Sequence, residues 1–376
     1  MTPSEPKIAP EQLGERLSAL PGVERLRAAS ADLPVYLVGG AVRDLLLARD
    51  RVDMDVAVEG DVAELARLLG GQVRRHERFA TATVLLDGLE VDLAATRSET
   101  YPRPGALPEV RPASLAADLA RRDFTVNAMA VPLAGDPELI DPHRGLEDLQ
   151  GGQLRVLHPG SFVDDPTRAL RAARYAARYG FTLERGTAEL CRGTDLSTAS
   201  PDRTDAELRK LAAEPQAQRA FELLAEWGLV ELDPDALELA GAVGELTAAE
   251  PWREVVSRAD AVLAAAMGRG LGEARELASA EPARPSEAVE RARGRTGVEL
   301  VLARALGAEW LDRYLTQWRG VRLEIDGNDL IEQGVPEGPA VGHGLGEALR
   351  AKLDWEVHGR AEELRAALAA ARKDTR

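Results

Sequence analysis

Two aspartates one residue apart, Asp53 and Asp55, begin thirteen residues after a glycine pair, Gly39 and Gly40, in the stretch YLVGGAVRDLLLARDRVDMDVAVEGD. Alternate residues of a strand share a face. The two carboxylates are therefore expected side by side, with Met54 and Val56 packed on the other face. Neighbouring carboxylates repel, and water or a cation must neutralise them; hard oxygen ligands suit Mg²⁺. Asp92, in LEVDLAAT, joins them if its strand lies next to theirs. Three such carboxylates can hold metal ions that position and neutralise an in-line displacement at phosphorus. Alone, the aspartate pair reads better as the solvated face of an edge strand. The glycines change the balance, because backbone without a Cβ lets a ligand come close and the free N–H groups of a helix start attract phosphate. Arg43 adds a positive charge one turn into that helix. The ordered set points to a triphosphate and a metal ion.

Two further groups carry chemistry. Arg121, Arg122 and Asp123, in DLARRDFTVNAMAV, offer donors and an acceptor within one turn, which suits ribose hydroxyls or phosphates. The alternative is a salt bridge at a helix end. Asp165 and Arg168, in FVDDPTRALRAARYAARYGF, lie three apart on one helical face. Cytosine and adenine both present an exocyclic amine beside a ring-nitrogen acceptor, so a carboxylate and an arginine complement either base. Uracil and guanine place a carbonyl where the amine would be, and an unpaired buried group costs about 1–3 kcal/mol. The alternative is a helix cap, Asp164 included. Arg171, Arg174 and Arg178 follow on the same helix at spacings of three and four, as candidates for the triphosphate or for RNA phosphates. The five histidines are scattered and form no recognisable motif.

The elements that must position these groups follow from periodicity. Residues 10–30 read as a helix, LPVYLVGG as a strand, AVRDLLLA as a helix burying Val42, Leu45 and Leu46, and DMDVAV as a second strand. DVAELARLLGG is a helix with an aspartate cap and a glycine stop. ATATVLLDG and LEVDLAATR are strands joined at Asp87–Gly88, a hairpin signal. From Pro166 onward the pattern is almost wholly helical. The expected fold class is α+β: a small mixed-sheet head over residues 1–150, then a helical neck (151–215), body (216–320) and tail (321–376).

The 376-residue chain carries a formal net charge of −16, which argues against a general nucleic-acid coat protein but not against a local basic groove. One cysteine, Cys191, excludes an internal disulfide and a Cys-rich zinc site. No run of eighteen apolar residues exists, and MTPSEPKIAPEQLGERLSAL has no apolar h-region, so a cytoplasmic location is expected.

Taken together, LVGGAVRDLLL…DMDVAVEGD, RRDFTVNA and the DDPTR helix start resemble the class II tRNA nucleotidyltransferase and bacterial poly(A) polymerase family, of the polymerase-β-like superfamily. The resemblance covers residues 31–215 well and the remainder loosely. It implies template-independent addition of C and/or A to a tRNA 3′ end from CTP and/or ATP, with Mg²⁺ as cofactor and tRNA as partner. It implies Asp53 and Asp55 as metal ligands with Asp92 as third carboxylate, and Gly39, Gly40 and Arg43 on the triphosphate. By the same resemblance Arg122 and Asp123 hold the ribose, and Asp165 and Arg168 select the base. Arg171 and Arg174 complete the nucleotide-binding set. DPHRGLEDLQGGQLRVL is similar to the family's third motif, where Asp141 can support the site, and SPDRTDAELRKLAAEP to its last neck motif. IDGNDLIEQGVPEGPAVG is similar to its C-terminal segment, where backbone beside Arg319 and Arg322 can approach tRNA phosphates. Position 164 is Asp where the family has Glu. YPRPGALPEV replaces an arginine-pair loop element and looks more like relatives that add part of CCA, terminal-A adders in particular. Competing expectations are a poly(A) polymerase and a catalytically silent tRNA- or nucleotide-binding protein.

Overall fold

The structure, a computed structural model, describes residues 4–30, 33–50, 52–76, 81–86 and 88–373. The chain divides into two compact units, Met1–Glu231 and Leu232–Arg376.

The first unit is built on a six-stranded mixed sheet. Its strands are β1 (Val35–Val38), β2 (Met54–Val58), β3 (Gln72–His76), β4 (Thr81–Leu86), β5 (Leu89–Ala95) and, after a separate hairpin, β8 (Ala130–Pro132), in the order β3-β4-β5-β2-β1-β8. The hairpin strands are β6 (Arg97–Thr100) and β7 (Glu109–Pro112), paired antiparallel. Two registers decide where the chemistry falls. β1 runs antiparallel to β2, with Leu37 opposite Val56, so the end of β1 and the start of β2 meet at one edge. β2 runs parallel to β5, with Asp55 opposite Asp92.

Alternation puts Met54 and Val56, and Val91 and Leu93, in the core while Asp53 and Asp92 stay exposed. In this unit α1 (Leu13–Ser18) and α2 (Val23–Ala29) precede β1, α3 (Gly40–Leu46) joins β1 to β2, and α4 (Val62–Leu69) follows β2. The Asp61 carboxylate caps α4 by accepting from the Ala63 N–H at 2.8 Å. α5 (Leu115–Ala120) buries Leu115 and Leu119 against Val38, Ala57 and Ala130 of the sheet. The same unit continues as α6 (Gly145–Gln150), α7 (Ser161–Asp164), α8 (Thr167–Tyr179), α9 (Arg185–Arg192), α10 (Pro201–Ala212) and α11 (Ala217–Glu226), α7 to α10 falling in the expected neck.

The α+β architecture agrees with the expectation. Three details differ or lie outside it. The single helix expected over 10–30 is a 3₁₀ turn, Pro10–Gln12, followed by α1 and α2, because Pro21–Gly22 turns the chain between them. The YPRPGALPEV element, expected in a loop between Arg97 and Arg121, is flanked by the β6–β7 hairpin, whose second strand begins within it. The β4–β5 hairpin forms with Leu86 opposite Leu89, although Asp87 of its turn lies outside the described residues.

The second unit is helical. Thr296 and Glu299 form a reciprocal capping box at the start of the helix Gly297–Ala305, and Asp326 and Asp329 do the same for Gly327–Glu332. The helices Pro339–Leu353 and Gly359–Lys373 pack on each other, and Ile325, Leu330, Val335, Ala348, Ala367 and Ala371 form their own core. No helix among the described residues is long and apolar enough to cross a membrane.

Leu119 is fully buried between α5 and the sheet. Leu119→Ala is expected to destabilise the first unit by about 2–5 kcal/mol through lost transfer energy and a residual cavity. Urea unfolding followed by circular dichroism measures this, and a loss well below that range would mean the layer is not packed as described.

Candidate active site

The antiparallel β1–β2 register brings the Gly39–Gly40 turn against the first carboxylates. Gly39 has φ +67°, and a Cβ there would lie 2.3 Å from Arg122 Nη1. Only glycine therefore lets this guanidinium sit on the turn. Arg122 is held by Asp118, whose Oδ2 accepts from Nη2 at 2.8 Å, while the buried Arg122 Nε has no acceptor among the described residues. The Gly40 end of α3 and Asp53 and Asp55 face one cleft of about 490 Å³. Burial and the nearby charges of Asp92 and Asp53 push the Asp55 carboxyl up to about 6, although Arg122 and Arg43 pull the other way. Asp92 stands beside Asp55 in register and accepts a hydrogen bond from Thr83 Oγ1 at 2.7 Å. Among the described residues no three His, Cys, Asp or Glu side chains converge closely enough to hold a metal ion unaided. The donors present, exposed Asp53 and half-buried, mutually repelled Asp55, are hard oxygens, the chemistry a divalent cation requires.

The opposite wall comes from the neck. Asp123 sits between head and neck: its Oδ2 accepts from Arg171 Nε at 2.8 Å, and its Oδ1 from Asn127 Nδ2 at 2.9 Å and from the Phe124 N–H at 2.8 Å. Burial alone would raise this carboxyl, but the Arg171 charge and these hydrogen bonds outweigh it and hold it at about 2. Arg171, Arg174 and Arg178 line the cleft along α8, each against acid. Arg174 lies 3.6 Å from Glu214 and 4.0 Å from Glu207, and Arg178 grips Glu214 with both Nε and Nη2. Arg174 also lies over the Tyr175 ring, 4.8 Å from its centroid.

Asp165 ends α7 and caps α8. Its Oδ1 accepts from the Thr167 N–H, Thr167 Oγ1 and, at 2.8 Å, Arg203 Nη2. Its Oδ2 meets no donor among the described residues. Arg168 is buried, with Nη1 on Ser161 Oγ at 2.6 Å and Nη2 on the Arg121 carbonyl at 2.8 Å. Asp165 thus takes the N–H of Thr167 at the start of α8, the cap-like role given as its alternative, and pairs with Arg203 rather than Arg168; Asp165 and Arg168 both still line the cleft.

Arg43 lines the cleft yet is only 4 % exposed. It bonds Asp44 through Nε at 2.9 Å, the Asn127 side-chain oxygen through Nη1, and the Tyr179 hydroxyl through Nη2 at 2.7 Å. Asp141 accepts from the Gly145 and Leu146 N–H groups and so starts α6, away from the cleft. Asp164 stands 3.9 Å from His158 and does not line the cleft.

Sequence reasoning did not single out the second rank of residues. Asp118 binds Arg121 and Arg122; Glu99 binds Arg97, Arg121 and the Tyr101 hydroxyl; Asn127 bridges Arg43 and Asp123. Arg203 holds Asp165. Among the described residues, eight arginines and six carboxylates line the cleft, so a strongly acidic chain carries a locally cationic pocket. A larger cavity of about 660 Å³, beside the start of α4, has, among the described residues, only Glu59 and Asp61 as charged lining and offers no comparable chemistry.

Comparisons with known proteins follow this geometry. The family model described as the poly A polymerase head domain matches residues 35–155. The chain is 36% identical over 372 residues to a CC-adding tRNA nucleotidyltransferase of Deinococcus radiodurans, covering 93% of each. It is 42% identical over 212 residues to an A-adding tRNA nucleotidyltransferase of Halalkalibacterium halodurans, covering 53% of this chain and 50% of that one. The chain spans half or less of the length of the A-adding relatives it matches. A CCA-adding enzyme solved with ATP superposes with TM-score 0.77 at 28% identity, covering 98% and 99% of the two chains. The Thermotoga maritima CCA-adding enzyme complexed with tRNA-CCA gives TM-score 0.72 at 27% identity, again covering 98% and 99%.

The folded-state pKa of Asp123, about 2, lies below its ordinary value of 3.8. Its contribution, about 2 kcal/mol, is therefore present above pH 4 and lost as the pH falls from about 4 to 2. The stability difference between wild type and Asp123→Asn should be large at pH 7 and shrink over that window in a pH series of urea midpoints. A pH-independent difference would contradict the ion-pair description.

Proposed function

The chain belongs to the tRNA nucleotidyltransferase family, and from that premise we propose that it adds C, A or both to the 3′ end of tRNA, making all or part of the CCA terminus from CTP or ATP. The observation that carries this reading is the pairing across one cleft of Asp53 and Asp55 with Asp165 and Arg168. One wall suits a triphosphate and the other a base edge. Asp165 Oδ2 accepts from the exocyclic amine of cytosine or adenine, and Arg168 donates to the ring nitrogen beside it. Asp123, held by Arg171, and Arg122 on the glycine turn place the ribose between them. The tRNA 3′-hydroxyl attacks the α-phosphorus; the new O3′–P bond forms as the α–β phosphoanhydride breaks, and pyrophosphate leaves. Asp53 and Asp55 fit a divalent cation, proposed as Mg²⁺, which when bound neutralises charge on the phosphates and activates the attacking oxygen. The chain's own arginines orient the phosphates without reorganisation, since most are already held by carboxylates.

Two readings of the added segment rest on different findings. The full-length match to a CC-adding relative favours CC addition. The 42% identity over 212 residues to an A-adding relative, with the YPRPGALPEV element, favours terminal A. A poly(A) polymerase would use the same cleft and would differ in adding many residues.

Purified protein offered CTP or ATP separately, on tRNAs ending before CCA, after C or after CC, distinguishes these. One or two C residues, or a single A on the CC-ended tRNA, is the expected product. Long A tails or no extension would contradict the proposal. Asp53→Ala and Asp55→Ala should each abolish addition, because a lone carboxylate no longer forms the metal pair. Retention of more than about a tenth of the rate in both, on a scale where tenfold is about 1.4 kcal/mol of barrier, would remove these residues from the chemistry.

A further inference from the structure

The far end of α8 meets the head a second time, through groups behind the cleft. Tyr179 ends α8 and is 1% exposed. Its hydroxyl accepts from Arg43 Nη2 at 2.7 Å and donates to Asp44 Oδ1 at 3.0 Å, both on α3. The Arg43 guanidinium carbon lies 4.5 Å from the centroid of the Tyr179 ring, and that of Arg49, just past α3, lies 5.2 Å from it. Phe181 stacks on the same ring with 5.2 Å between centroids.

The start of the chain closes this contact. The last carbonyls of a helix have no partner within it. Leu46 ends α3, and its carbonyl accepts from the Lys7 N–H at 2.9 Å and the Ile8 N–H at 3.1 Å. The Tyr179 carbonyl accepts from the Ser4 N–H at 2.8 Å. One short segment, Ser4–Ile8, thus satisfies the C-terminal ends of both helices.

A rigid rod held at one point can still pivot. Asp123 holds Arg171 near the start of α8. Tyr179 lies roughly two turns further on, about 12 Å along the axis. Two contacts at that separation fix the direction of α8 against α3. The Gly39–Gly40 turn starts α3, and Arg168, Arg171 and Arg174 project from α8 into the cleft. The distance between the triphosphate wall and the base wall follows from that direction.

We propose that Tyr179 is a positioning residue which, with the Ser4–Ile8 segment, sets the span between the two walls of the cleft. This inference rests on the proposed function and adds to it what holds the site to the length of a whole nucleotide without touching one. A ligand that bridges both walls gains from their fixed separation, because its second contact forms at the effective concentration set by the first. A ligand that meets one wall gains nothing from it.

The test uses the full chain as wild type, Tyr179→Phe and Ser4→Pro. Tyr179→Phe keeps the ring and leaves Arg43 and Asp44 bonded to each other. Ser4→Pro removes the N–H that meets the Tyr179 carbonyl and leaves every neck side chain in place. Addition to a tRNA that the wild type extends gives kcat and KM for the preferred nucleoside triphosphate, with Mg²⁺ in excess. Inorganic pyrophosphate and the matching nucleoside, each meeting one wall, are measured as inhibitors. Both variants are expected to raise KM about fivefold or more, while the two inhibition constants change by less than about twofold. The fall in kcat should be smaller than the rise in KM, and the melting temperatures should stay close to that of wild type. An unchanged KM in both variants would overturn the inference. So would equal weakening of the triphosphate and both fragments, since that is what a general loosening of the fold gives. If Tyr179→Phe fails to fold, Ser4→Pro decides. A rise in KM in Tyr179→Phe alone would strike the Ser4–Ile8 segment from the arrangement. Failure of the wild type to add C or A at all would instead remove the proposed function.

Discussion

The Asp123–Arg171 ion pair joins the two halves of the cleft. Asp123 follows α5 of the head, and Arg171 sits in the first turns of α8 in the neck. Their contact is short, with Asp123 buried, Arg171 half-buried and Asn127 behind the carboxylate, so removing Arg171 would leave a buried carboxylate uncompensated. Once this pair is made, the registers of the head and the face of α8 are no longer independent. The carboxylates on β2 and the base-facing end of α8 then address the same space.

Around that junction the protein resolves a conflict between charge and binding. A chain with net charge −16 repels a nucleotide triphosphate at long range, yet the cleft presents arginines in excess. Most of these arginines are paired with acids placed behind them: Asp118 behind Arg121 and Arg122, Glu207 and Glu214 behind Arg174 and Arg178. The acids lower the net charge of the pocket but fix the donors in position, and a ligand pays less ordering entropy when donors are already placed.

Much of this was legible in the sequence, and the reason is locality. The strand–Gly-Gly–helix unit, the alternation around Asp53 and Asp55, the Asp61 cap and the β4–β5 pairing are short-range patterns. Their expected elements fall close to the observed ones. That Asp92 faces Asp55 needed one long-range fact, the parallel β2–β5 register, which periodicity cannot supply. The partners of the site residues needed more. Asn127 bridging Arg43 and Asp123, and Arg203 reaching both Gly105 and Asp165, join segments 84, 98 and 38 residues apart. Arg43 shows the limit most plainly. By type and place it reads as a phosphate ligand, whereas its packing between Asp44, Asn127 and Tyr179 gives it a second occupation that no local pattern reveals.

The central claim is that a single nucleotide spans the cleft from the head carboxylates to the neck. The most direct test is a structure of the protein with a non-hydrolysable analogue of CTP or ATP and Mg²⁺. The account predicts the triphosphate beside Gly39–Gly40, Asp53 and Asp55, and the exocyclic amine within about 3 Å of Asp165 Oδ2, with Arg168 on the ring nitrogen. A base bound wholly within the head, or one that leaves Asp165 and Arg168 without a contact, would contradict it.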